Sequence, residues 1–186
     1  MSEIILIPLR FEKRSLLDFL ETNIRDITGI PTSIENHTLA LDPYFDSNRG
    51  QYDAGKILQE FEKEGPPLSI ICTTVDLFIP IFTFVFGLAK LDGNVGIVSS
   101  RRLENQFYGL PDNDELIRER LLKEAIHEFG HLVGLRHCRQ FDCVMASSTS
   151  ADEVDIKRPL YCNTCQIIFK ENYPKKVGHD SAKSGK

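Results

Sequence analysis

The stretch HEFGHLVGLRHC, residues 127–138, constrains this chain more than any other. His127 and His131 are four residues apart, a spacing that on an α-helix sets both imidazoles on one face, where they can bind one ion. Glu128 is turned by about 100° from His127, beside such an ion rather than on it, where a carboxylate can hold and deprotonate water. Gly134 can take the positive φ that ends a helix and turns the chain back. That turn brings His137 towards the same ion. The stretch closes on Cys138, so either this thiol competes for the ion or it belongs to a different one.

The start of the helix is also legible. Asp112, Asn113 and Asp114 offer N-cap oxygens, and Glu115 and Glu119 place negative charge near the positive end of the helix dipole. Leu116, Leu121, Leu122, Ala125, Ile126 and Phe129 supply apolar surface, as in an amphipathic helix that enters a core.

Of the five cysteines, Cys138, Cys143, Cys162 and Cys165 cluster in sequence, whereas Cys72 stands alone in the apolar run SIICTT and reads as a small buried hydrophobe. In a reducing compartment such a cluster points to metal rather than disulfides. Two cysteine pairs can close a tetrahedral thiolate cage with no position open to a substrate, which makes a structural site. Four thiolates suit zinc and iron alike.

Residues 3–9 read as a strand buried on both faces, and residues 14–27 as a helix with Leu16, Leu17, Leu20, Ile24 and Ile27 at helical spacing. A second extended piece is expected over residues 32–41, a second helix over 52–63 and a third strand over 68–73. Strands over 84–91 and 95–100 flank Asp92-Gly93-Asn94, a hairpin signal. Strands alternating with helices imply a mostly parallel sheet, and the late hairpin adds an antiparallel strand, so the class is α/β or α+β with a mixed sheet. A loose tail is expected over residues 174–186, which are polar and contain Gly, Ser and Lys.

A net charge of −5 argues against a nucleic-acid partner, which usually calls for a basic stripe. The first ten residues lack the marks of a secretory signal, so a cytoplasmic location is expected. Residues 68–89 approach the length of a membrane span, but Asp76 and Pro80 interrupt them, and two buried strands with a link are expected instead, with no membrane partner.

HEFGHLVGLRHC, followed by CVM at 143–145 and CNTC at 162–165, resembles the signature of the archaemetzincins, a branch of the metzincin metallopeptidases. The pieces DLFIP (76–80), FVFGLA (84–89) and VGIVSSRRL (95–103) are also similar to that family. The resemblance implies a twisted mixed sheet with an antiparallel edge strand packed on helices, the motif helix beneath a cleft. It implies one domain over residues 1–173, with an N-terminal part (1–134) and a C-terminal part (135–173) that carries the Met-turn at Met145 and a zinc-stabilised cysteine site.

Two zinc ions per chain follow from it: one catalytic, on His127, His131 and His137, and one structural, on Cys138, Cys143, Cys162 and Cys165. The first would carry a water made acidic by the metal, with Glu128 as general base and then acid, and the enzyme would be a metallopeptidase acting on peptides or proteins. The edge-strand residues Val85, Phe86, Gly87 and Leu88 would take an extended substrate as an added strand. Side chains alternate along an extended segment, so His137 can face the cleft while Cys138 faces away, and the two need not compete.

His37 and His179 have no second ligand at useful spacing and are read as packing or surface residues, Tyr161 as aromatic packing beside the zinc. Arg101, Arg102, Arg136 and Arg139 form no basic run and are expected to be solvated or paired. A monomer is expected. The alternative function is a zinc-dependent peptide-binding or regulatory protein with little or no turnover.

Overall fold

Residues 4–8 have no polar face, and they form β1 (Ile4–Pro8), an inner strand of a five-stranded sheet. Its neighbours, in the order β2 (Thr32–Ile34), β1, β5 (Ser69–Thr73), β9 (Val95–Ser99) and β8 (Gly87–Ala89), run parallel except for β8, which lies antiparallel on the edge beside β9. The computed structural model describes residues 3–180.

Alternation along β1 divides the core. Ile4 and Leu6 pack with the buried stripe of α1 (Arg14–Thr28) and with α3 (Asp114–Leu132), while Ile5 and Ile7 pack with α2 (Ala54–Lys63) on the opposite face. Helices on both sides of a mostly parallel sheet explain why its central strands are apolar throughout. α1 runs one residue past the expected 14–27 and is capped at Gly29, with φ of 72°. The hairpin signal at residues 92–94 joins β8 to β9.

A second, four-stranded sheet has the order β3 (Phe45–Asp46), β4 (Gln51–Asp53), β6 (Leu77–Ile79) and β7 (Phe82–Val85). It corrects several sequence expectations. Tyr52 lies in β4 rather than starting a helix, because the Asp53 carboxylate accepts the Lys56 N–H at 3.1 Å and caps α2 one residue later. The extended piece over 32–41 shrinks to three residues of strand. Residues 68–89 hold four strands rather than two, and the single strand expected over 84–91 is divided at Phe86, where the chain passes from the second sheet to the first.

After α3 the chain forms α4 (Ala151–Ile156) and α5 (Asn163–Asp180). The loose tail expected from residue 174 is helical to Asp180, with Pro174 inside the helix; residues 181–186 lie outside the described residues. Contacts hold α5 down: Phe169 meets Phe129 of α3 at 5.9 Å, and Asn172 donates to the Val133 carbonyl at 3.0 Å. Lys176 donates to the Asp92 carbonyl at 2.6 Å, beyond the proline. Among the described residues no helix is long and apolar enough to cross a membrane.

Candidate metal centre and cleft

α3 begins at Asn113, whose side-chain oxygen accepts the Leu116 N–H at 3.0 Å, with Asp114 and Glu115 in the first turn. Its last part is buried, from Arg120 to Gly130, so His127 and Glu128 are carried into the interior. Gly134 has φ of 82°, and the N–H groups of Gly134 and Leu135 bond the carbonyls of His131 and Gly130, both at 2.9 Å. This reversal brings the His137 ring to 5.2 Å from that of His127 and 4.9 Å from that of His131.

One donor nitrogen from each of the three histidines lies within 4.8 Å of the others, and Nε2 of His127 and His131 are 3.1 Å apart. His127 Nδ1 bonds the Val144 carbonyl and His131 Nδ1 the Leu135 carbonyl, each at 2.8 Å. A carbonyl only accepts, so both Nδ1 atoms carry hydrogen and both Nε2 lone pairs are left for a metal. Burial holds His127 well below the usual imidazole range and His131 below it, which favours the neutral form that binds metal. The donor set fits zinc.

Glu128 is buried beside these rings, and desolvation, with a contribution from Glu124, pushes its carboxyl well above the usual range against the pull of Lys157. Its place depends on two glycines of the edge hairpin. A methyl group on Gly87 would lie 2.5 Å from Glu128 Oε1, and one on Gly96 would lie 3.5 Å from Glu128 Cβ. Beneath the helix, Gly130 leaves room for the buried Met145, whose sulfur would collide with any side chain there.

The histidines and Glu128 open into a cleft of about 970 Å³. One wall is apolar and comes from β7 and β8, including Phe82, Phe84 and Leu88; the other is polar and comes from Ser147, Ser148 and Thr149. Val85, Gly87 and Leu88 of the expected substrate edge are half-buried in the first wall, whereas Phe86 belongs to the hydrophobic core. On the side away from β9, β8 has no partner strand among the described residues, which leaves a free backbone edge there.

The four clustered cysteines also converge. Their sulfurs lie within 4.8 Å of one another, with Cys138 and Cys162 at 3.8 Å, a donor set that fits a closed tetrahedral site. This cage and the histidine site share backbone. Cys138 follows His137 directly and donates its N–H to the Met145 carbonyl at 2.8 Å, and Cys143 precedes Val144, the residue that bonds His127. Tyr161, just before Cys162, donates its hydroxyl to the Ile126 carbonyl of α3 at 3.0 Å and stacks on Phe169.

Cys72 is fully buried in β5, as its surroundings in sequence predict. His37 packs on Phe61 with ring centres 4.7 Å apart. The side chain of His179 lies outside the described residues. Sequence reasoning missed three features. Lys157 and Glu124 form a buried ion pair of 2.7 Å at the cleft floor, 33 positions apart. Gly87 makes room for Glu128, and Arg136 lines the cleft with no acidic partner among the described residues, although Arg102 pairs with Asp76 as expected.

Peptidase family M54 matches residues 30–171. The archaemetzincin of Methanocaldococcus jannaschii is 37% identical over 151 residues, covering 81% of this chain and 83% of that protein. The crystal structure of a zinc-dependent peptidase from Methanocorpusculum labreanum superposes with a TM-score of 0.82 at 30% identity, covering 89% of this chain and 99% of that one. The crystal structure of archaemetzincin from Methanopyrus kandleri does so with a TM-score of 0.81 at 31% identity, covering 93% and 96%.

Proposed function

The chain belongs to peptidase family M54, the archaemetzincins, and is a zinc metallopeptidase; from that premise we propose that His127, His131 and His137 hold a catalytic zinc and that Glu128 is the general base and acid of peptide-bond hydrolysis. The observation that carries this reading is the convergence of three imidazole donors beside one buried carboxylate at the floor of an open cleft. Zinc bound there supplies Lewis acidity to the scissile carbonyl and to the attacking water.

Glu128 takes the water's proton on a carboxylate oxygen and passes it to the departing amine. Its raised pKa suits a group that must accept and release a proton near neutral pH. The Val144 and Leu135 carbonyls fix the tautomers of His127 and His131, and Met145 packs below. The free edge of β8 receives an extended peptide by main-chain hydrogen bonds, with Val85, Gly87 and Leu88 along the cleft wall.

A second zinc belongs to Cys138, Cys143, Cys162 and Cys165, giving two per chain; four thiolates leave no position for a substrate, so its role is structural. Its four ligands all lie within residues 135–173, so it cross-links that part internally, next to His137 and to Val144. Thiols kept for metal suit a reducing compartment, which supports a cytoplasmic location for the enzyme.

Digestion of a peptide library with product sequencing tests the reading. Wild type should cleave, and Glu128→Ala should keep its zinc yet lose activity by about 10²- to 10⁴-fold, the range for a lost general base. Equal inertness of the two proteins would favour a zinc-dependent binding role and sink the assignment.

A further inference from the structure

We propose that Arg136 is an anion-binding residue of the cleft, selecting peptides that carry a carboxylate on the amino-terminal side of the cleaved bond. This rests on the peptidase reading for the identity of the ligand, and on the distribution of charge in the cleft for its sign.

Three charged or ionisable residues other than histidine are among those that line the cleft: Glu124, Glu128 and Arg136. Glu124 is already neutralised, since its Oε1 accepts from Lys157 Nζ at 2.7 Å with both side chains almost fully buried. Glu128 is buried, packed under Gly87 and Gly96 of the edge hairpin. Arg136 differs from both. It is exposed, and it makes no ion pair, hydrogen bond or ring contact among the described residues. In a chain of net charge −5, the exposed fixed charge among the described residues that line the cleft is thus the cation of Arg136.

A guanidinium offers five donors in a planar fork matched to a carboxylate, so an acidic side chain is the ligand it fits best. Position along the cleft sets which side of the substrate it meets. β8 runs from Gly87, over Glu128, towards Leu91 and Asp92, whose N–H bonds the His131 carbonyl at 2.9 Å where α3 ends. Arg136 lies on the chain that returns from that end. A strand added antiparallel to β8 puts its amino-terminal residues beside Ala89 and Leu91, the side of Arg136.

The test uses the zinc-loaded protein and N-acetylated fluorogenic peptides that differ only in Glu, Gln or Lys at each of the three positions before the cleaved bond. At one of them wild type should prefer Glu over Gln by about three- to fivefold in kcat/KM, the worth of a partly exposed ion pair, and less at high salt. Arg136→Gln should remove the preference, and Arg136→Glu should turn it towards Lys. Cleavage without discrimination, or a preference unchanged in both variants, overturns the proposal while leaving the peptidase reading intact. Binding of the same peptides to Glu128→Gln, read by fluorescence anisotropy, gives a measure free of turnover. Arg136-dependent binding of the Glu peptide, with wild type cleaving none of the peptides, would uphold the anion site and remove the peptidase reading.

Discussion

The α-carbon of Gly87 faces the carboxylate of Glu128 so closely that a methyl group there would lie 2.5 Å from Oε1, 2.7 Å from Cγ and 2.8 Å from the Ile97 carbonyl oxygen. The carbonyl belongs to the sheet and cannot give way, so the glutamate must. Gly87→Ala should therefore move Glu128, with kcat falling by about 100-fold for a displacement near 1 Å. The overpacking should cost about 1–3 kcal/mol of stability. Kinetics beside a thermal melt check this, and an alanine variant with normal kcat would show that Gly87 does not set the position of Glu128.

Lys157 and Glu124 hold the segment after α4 against α3, and Lys157 also donates to the Ala146 carbonyl at 3.2 Å. Lys157→Met strands a buried carboxylate and should destabilise the fold by about 3–5 kcal/mol. Adding Glu124→Leu should recover most of the loss, because both charges are then gone. Denaturant unfolding of the three proteins decides it; a double variant no better than Lys157→Met would mean that the pair is not the unit.

The cysteine cage and the histidine site are joined at His137–Cys138 and at Cys143–Val144, so they should not bind metal independently. Cys162→Ser together with Cys165→Ser should empty the cage and also weaken zinc at the histidines, by at least tenfold in a chelator competition. An unchanged affinity would show that the third histidine is aimed without help from the cage.

Cys72 has no exposed surface, and burial pushes its thiol up to about 12. Only a thiolate alkylates readily, so iodoacetamide at pH 8 should leave Cys72 unmodified in the native protein and modify it in denaturant. Peptide mapping by mass spectrometry reads the result. Native labelling at Cys72 would require an opening of β5 that this packing does not provide.

Where local chemistry decides the structure, the sequence was legible. The cap at Asn113, the histidine spacing, the turn at Gly134 and the hairpin at residues 92–94 each depend on a few adjacent residues. The second sheet was not, because residues 68–89 are apolar nearly throughout and carry no period that marks where one strand stops. The helix through Pro174 was hidden for another reason: its polar surface looks like a tail until Asn172 and Lys176 find carbonyls of distant loops. The same holds at the cleft. Histidines on one helix announce themselves, whereas Gly87 against Glu128 and Lys157 against Glu124 exist only once the chain has folded.

Two zinc ions of different kind are expected in one chain, one open to substrate on three histidines and one closed on four thiolates. Anomalous diffraction at the zinc edge from crystals of the intact protein tests this most directly. Two peaks are expected, one among His127, His131 and His137 and one among Cys138, Cys143, Cys162 and Cys165. A single peak, or a histidine site empty in zinc-supplied protein, would contradict it.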